Sequence, residues 1–100
     1  MAFERKLKLP DNIDKYRKTR FIWVDKEIAE VIQYLWKHGI DTRGCCSGHD
    51  KEYPSVVISS GYNSAEVLEI RRLINEVDGR PWIIYQWKSI NDKEERLTEV

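Results

Sequence analysis

Two apolar stripes of helical period, each bracketed by short alternating segments, constrain this chain more than any other feature in it. Ile28, Val31, Ile32, Leu35 and Trp36 fall at i, i+3, i+4, i+7 and i+8, which places them on one face of a helix. Val67, Ile70, Leu73, Ile74 and Val77 make a second such stripe. Each helix carries its own start and stop signals. Asp25 supplies an N-cap oxygen for the first, and Gly39 a left-handed stop. Asn63 and Glu66 have the spacing of a capping box for the second, which ends at Gly79 and Pro81. The flanking segments read as strands. Phe21-Ile22-Trp23-Val24 alternates, with Phe21 and Trp23 on one face. Ile40–Cys46, Ser55–Ser59 behind Pro54, and Trp82–Trp87 complete the set.

The order over residues 20–88 is therefore β-α-β-β-α-β. Two similar strand–helix–strand halves predict an α+β, ferredoxin-like two-layer sandwich, with an antiparallel four-stranded sheet and both helices on one face. Residues 1–100 make a single domain. Residues 1–19 are expected to be a basic N-terminal arm, with a turn at Pro10-Asp11-Asn12, and 89–100 a charged C-terminal tail or an extra strand containing Leu97 and Thr98.

Composition excludes several classes. Hydrophobic residues at 41% and charged residues at 34% describe a folding chain, not a disordered one. No apolar run approaches the ~20 residues of a membrane span and no signal-peptide pattern opens the chain, so a cytoplasmic protein without membrane contact is expected. Net charge is zero, yet residues 1–20 hold seven basic side chains against three acidic ones. Such a segment can contact nucleic acid. The acidic balance of the remainder favours a solvated arm instead.

Chemistry concentrates in Gly39–Asp50, GIDTRGCCSGHD, which holds both cysteines and one of the two histidines. Adjacent Cα atoms lie ~3.8 Å apart, below the usual ~4.4–6.8 Å of a disulfide, so Cys45 and Cys46 are expected as free thiols. If Cys46 to His49 forms a turn around Ser47-Gly48, the thiol and the imidazole become neighbours, with Gly48 at a positive φ. Strand alternation sends Cys45 the other way, into the core. Three readings follow. The first is a catalytic pair, Cys46 as nucleophile and His49 as base, oriented by Asp41, Asp50 or Asp78. The second is a metal site; the absence of a C-x-x-C and the divergence of the two thiols argue against it, and neither metal nor cofactor is expected. The third is a ligand site for a small molecule or anion, using backbone N–H groups at Ser47 and Gly48 with Thr42, Arg43, His49 and Lys51. Against all three stands a scaffold reading, in which the cysteines pack and Gly48 only turns the chain. His38, in the last turn of the first helix, suits the helix dipole there.

A separate candidate is aromatic. In the expected sheet, Phe21, Trp23, Tyr85 and Trp87 share the face that the helices leave open. Trp23, Tyr85 and Trp87 could then bind a partner: a second copy in a homodimer, or RNA bases stacked on the sheet. The ribonucleoprotein aromatic motif is absent, so nucleic acid is the less favoured partner.

The run DKEIAEVIQYLWKHGIDTRGCCSGH resembles small uncharacterised bacterial and phage proteins in which a helix is followed by G-I-x-T and then C-x-G-H. It is also distantly similar to the tRNA wybutosine-synthesis methyltransferases, in which a helix leads to T-x-S-S-C-S-G-R. The arginine of that pattern is His49 here, and the chain is too short for a methyl-donor pocket. The resemblance implies a site at Thr42–His49 without carrying over an activity. The expectation is a ligand- or partner-binding module with its site at the Cys46–His49 turn. The alternatives are a small Cys46/His49 enzyme and an RNA-binding sheet platform.

Overall fold

The computed structural model describes residues 4–13, 18–48 and 52–100. Strand β1 (Glu4–Lys8) pairs antiparallel with β2 (Phe21–Asp25) in a two-stranded ribbon. A 3₁₀ turn over Lys26–Ile28 leads into α1 (Ala29–Lys37), then β3 (Thr42–Cys46) and β4 (Ser55–Ile58). Helix α2 (Ser64–Val77) follows, then the long β5 (Ile83–Asn91) and β6 (Glu94–Glu99). Strands β3 to β6 form a second sheet, in that order.

The helices form for the reasons their sequences suggest. At α2 the Asn63 side chain accepts from the Glu66 N–H while the Glu66 carboxylate accepts from the Asn63 N–H, so both arms of the capping box are made. Gly39 adopts φ +79 just past α1. Helix α2 stops differently from expectation: Gly79 is not left-handed, and Asp78 takes an extended conformation as C-cap. The Asp78 carboxylate accepts from the Arg80 guanidinium and from the Trp82 indole N–H. The Arg80 contact above all holds this carboxyl down, to about 2.

The core sits between the helices and one face of the larger sheet. Ile28, Ile32, Leu35, Trp36, Ile70 and Ile74 meet Val56, Ile58 and Ile84, all buried. Val77, at the end of its stripe, is half-buried. Alternate strand residues Ser55, Val57, Ile83 and Tyr85 are half-buried on the opposite face. Both helices therefore do cover one sheet face.

Topology departs from the ferredoxin-like expectation in three places. First, the sheet is mixed, not antiparallel. Strand β4 runs parallel to β5 with Val56 opposite Ile84, whereas β3–β4 and β5–β6 are antiparallel. The physical reason is the α2 crossover: a helix carries the chain back to the end where β4 began, and β5 pairs directly with β4, with no strand inserted between them. Second, Phe21–Asp25 is not in this sheet at all, because β1 takes its hydrogen bonds. Third, residues 94–99 form β6 and occupy the far edge.

The N-terminal segment is not a detached arm. Leu7, Leu9 and Ile13 are buried in the main core. Arg20, counted above among the basic residues available to a partner, instead donates from its guanidinium to the carbonyls of Pro10 and Ile13. Its positive charge holds the 9–13 loop closed. Among the described residues no helix is long and apolar enough to cross a membrane.

Candidate functional site

The two thiols diverge because β3 alternates. Cys45 lies opposite Val56 and packs on the core; Cys46 lies opposite Ser55, on the side away from the helices. Both are free and half-buried. Burial above all pushes the Cys45 thiol up, to about 11, with the Asp25 carboxylate, Cys46 and Glu4 adding to the rise. Cys45 is accordingly a protonated, inert thiol near neutral pH.

Beyond Cys46 the chain turns through two buried residues, Ser47 and Gly48. Gly48 has φ +82, the conformation that its place in the sequence suggests. A Cβ added there would fall on the Glu52 carbonyl oxygen and lie 2.7 Å from the Glu52 carbonyl carbon, so only glycine fits. Glu52 N–H donates to the Gly48 carbonyl at 3.1 Å, which joins the chain on either side of residues 49–51.

Both backbone N–H groups of the turn have internal partners. Ser47 N–H donates to Asp25 Oδ2 at 2.9 Å, and Gly48 N–H donates to Cys46 Sγ at 3.4 Å. The anion that this turn suits is thus supplied by the chain itself, from the end of β2. Asp25 makes no side-chain cap to the following helix. It is a site residue that the sequence does not reveal: an aspartate directly before a helical stripe carries the signature of an N-cap, and its contact 22 residues away leaves no local mark.

The remaining candidates are placed as follows. Thr42 is buried, and its hydroxyl accepts from the Trp36 indole N–H at 2.9 Å. It points into the core and not toward the turn. Thr42→Val should therefore cost ~1–3 kcal/mol in a denaturant melt, because a buried indole N–H loses its acceptor. A loss below ~0.5 kcal/mol would return Thr42 to the ligand-binding set. Arg43 is exposed and pairs with Asp41 at 2.9 Å. Asp78, one of the carboxylates considered for orienting an imidazole, is engaged with Arg80 and Trp82. His49, Asp50 and Lys51 lie outside the described residues. His38 Nδ1 lies 2.9 Å from the Tyr34 carbonyl at the end of α1. Among the described residues no group of three or more His, Cys, Asp or Glu side chains could hold a metal ion.

The aromatic candidates divide between two sheets. Tyr85 and Trp87 lie on the open face of the larger sheet, where Trp87 is opposite Leu97 and Tyr85 is beside Val57. Trp87 and Leu97 are 39% and 40% exposed. Cys46, Ser55 and Ile83 line up across the same face. Phe21 and Trp23 belong to the β1–β2 ribbon, so the four aromatics expected on one surface do not share a sheet.

Fold and site define a small mixed-sheet α+β chain with one surface-side thiol at a glycine-dependent turn. No family model, curated protein or solved structure matches it.

Proposed function

We propose that this chain is a binding module whose site is the Cys46–His49 turn together with the open sheet face that the turn borders. The observation that carries the reading is the row Cys46, Ser55, Ile83, continued by Val57, Tyr85, Trp87 and Leu97, on the sheet face opposite the helices. An apolar, aromatic surface edged by the β6 carboxylates Glu95 and Glu99 suits a protein partner or a flat ligand better than a small anion. The anion reading loses support because Ser47 N–H and Gly48 N–H are engaged within the chain. A second copy of the chain, docked across Trp87 and Leu97, is one such partner.

The enzyme alternative, with Cys46 as nucleophile and His49 as base, rests on the place of Cys46 at the turn, where the Gly48 N–H donates to its Sγ. Iodoacetamide at pH 7 distinguishes the readings. For a binding module, Cys46 should be alkylated in the folded protein no faster than free cysteine, and Cys45 only on unfolding. An enzyme thiol should react much faster than free cysteine and slow in His49→Ala. If Cys46 stays unreactive until unfolding and His49→Ala costs ~1–3 kcal/mol, as removal of a buried hydrogen-bonded group does, the turn is scaffold and the proposed site fails.

A further inference from the structure

The outer face of the β1–β2 ribbon meets the site above only at its Glu4–Asp25 end, where Asp25 accepts from the Ser47 N–H. In its antiparallel register Lys8 lies opposite Phe21 and Lys6 opposite Trp23, so the four side chains share one face. All four are exposed, Phe21 at 47% and Trp23 at 63%. The inner face is anchored: Leu7 and Val24 are buried in the core and Ile22 packs against it. The ribbon is thus a fixed mount whose outward aromatics contribute little to folding. Phe21 and Trp23 stand two strand residues apart, about 6.7 Å. The Lys6 ammonium lies over the Phe21 ring, 4.8 Å from its centroid, so positive charge already covers one face of that ring, and a base stacking there takes the place of the ammonium, which moves to the phosphate.

We propose that this face binds single-stranded nucleic acid, weakly and without base preference, bases stacking on Trp23 and Phe21 and phosphates meeting Lys6 and Lys8. Flat rings interleaved with cations match the two properties that every single strand offers, a π face on each base and an anionic backbone. An acidic peptide would match the lysines but leave the rings without a flat partner. The competing occupant is a second copy of this chain, presenting the acidic open face of β6, where Glu95 and Glu99 flank Leu97.

The test is fluorescence titration of the full chain with oligo(dT) and oligo(U) at low salt. Trp36 and Trp82 are buried, so in Trp87→Phe the exposed emitter is Trp23. Saturable quenching by both oligomers is expected, with log K falling against log salt at a slope of about −1.4 for two phosphate contacts on a single strand. Lys6→Glu with Lys8→Glu should weaken binding by about tenfold or more while lowering the melt only slightly, through loss of the exposed Lys6–Phe21 contact. Lys88→Glu with Lys93→Glu, on the β5–β6 hairpin, should leave binding unchanged. Absence of saturable quenching overturns the proposal. So does quenching indifferent to salt or to the Lys6/Lys8 reversal. Sedimentation in which the Lys6/Lys8 reversal changes self-association, with no response to either oligomer, would make the ribbon an interface between copies.

Discussion

Gly48→Ala is expected to destabilise this protein by ~2–5 kcal/mol, a large share of the ~5–15 kcal/mol that holds a domain of this kind together. Two penalties combine. A Cβ at φ +82 is strained by ~1–2 kcal/mol, as any L side chain is in the left-handed region. The same Cβ would meet the Glu52 carbonyl and lie 3.2 Å from the Tyr53 carbonyl oxygen, and displacing packed backbone adds ~1–3 kcal/mol. Gly39→Ala is the control. Gly39 has φ +79, but an added Cβ there meets nothing within 4 Å, so only the strain should appear. Denaturant melts of the two variants isolate the close approach at the Cys46 turn. Equal losses would mean that the turn can open without cost and that Gly48 does not shape the site.

Leu35→Ala should cost ~2–5 kcal/mol, through lost burial and the cavity left between α1 and the sheet. Leu35 is fully buried at the centre of the α1 stripe, among Ile32, Trp36 and the α2 residues Ile70 and Ile74. Leu68 on α2 is the matched control: it is 67% exposed, and its truncation should change stability by no more than ~0.5 kcal/mol. A Leu35→Ala loss of that small size would put Leu35 on the surface and undo the helix register on which the whole core rests.

Local features of the chain were legible without coordinates wherever the physics is local. The capping box at Asn63 and Glu66 involves residues three apart, and both of its hydrogen bonds are present. Gly48 and Gly39 take positive φ because no other residue does so at little cost. Strand alternation alone separates Cys45 from Cys46. One further local signal is present: Lys6-Leu7-Lys8-Leu9 alternates charged and apolar residues with period two, across the end of β1 with its buried Leu7. The charged pair Glu4-Arg5 ahead of it breaks the alternation and keeps the pattern to four residues.

Long-range pairing had no such signature. Whether Phe21–Asp25 joins the larger sheet or pairs with β1 depends on competition between edges distant in sequence, and β1 takes those hydrogen bonds. The same competition moves Phe21 and Trp23 away from Tyr85 and Trp87, and so makes two aromatic faces out of one expected face. Asp25 illustrates the point at a single residue: its local context suits a helix cap, yet its carboxylate accepts from Ser47 N–H across 22 positions. The sequence by itself determined the two helices, the turn glycines and the divergence of the thiols, because periodicity and φ preference act within a few residues. Only the tertiary structure decided the mixed sheet, the engagement of Arg20, Asp25 and Thr42 within the fold, and which aromatics face outward together, because these depend on which distant groups the fold brings within hydrogen-bonding distance.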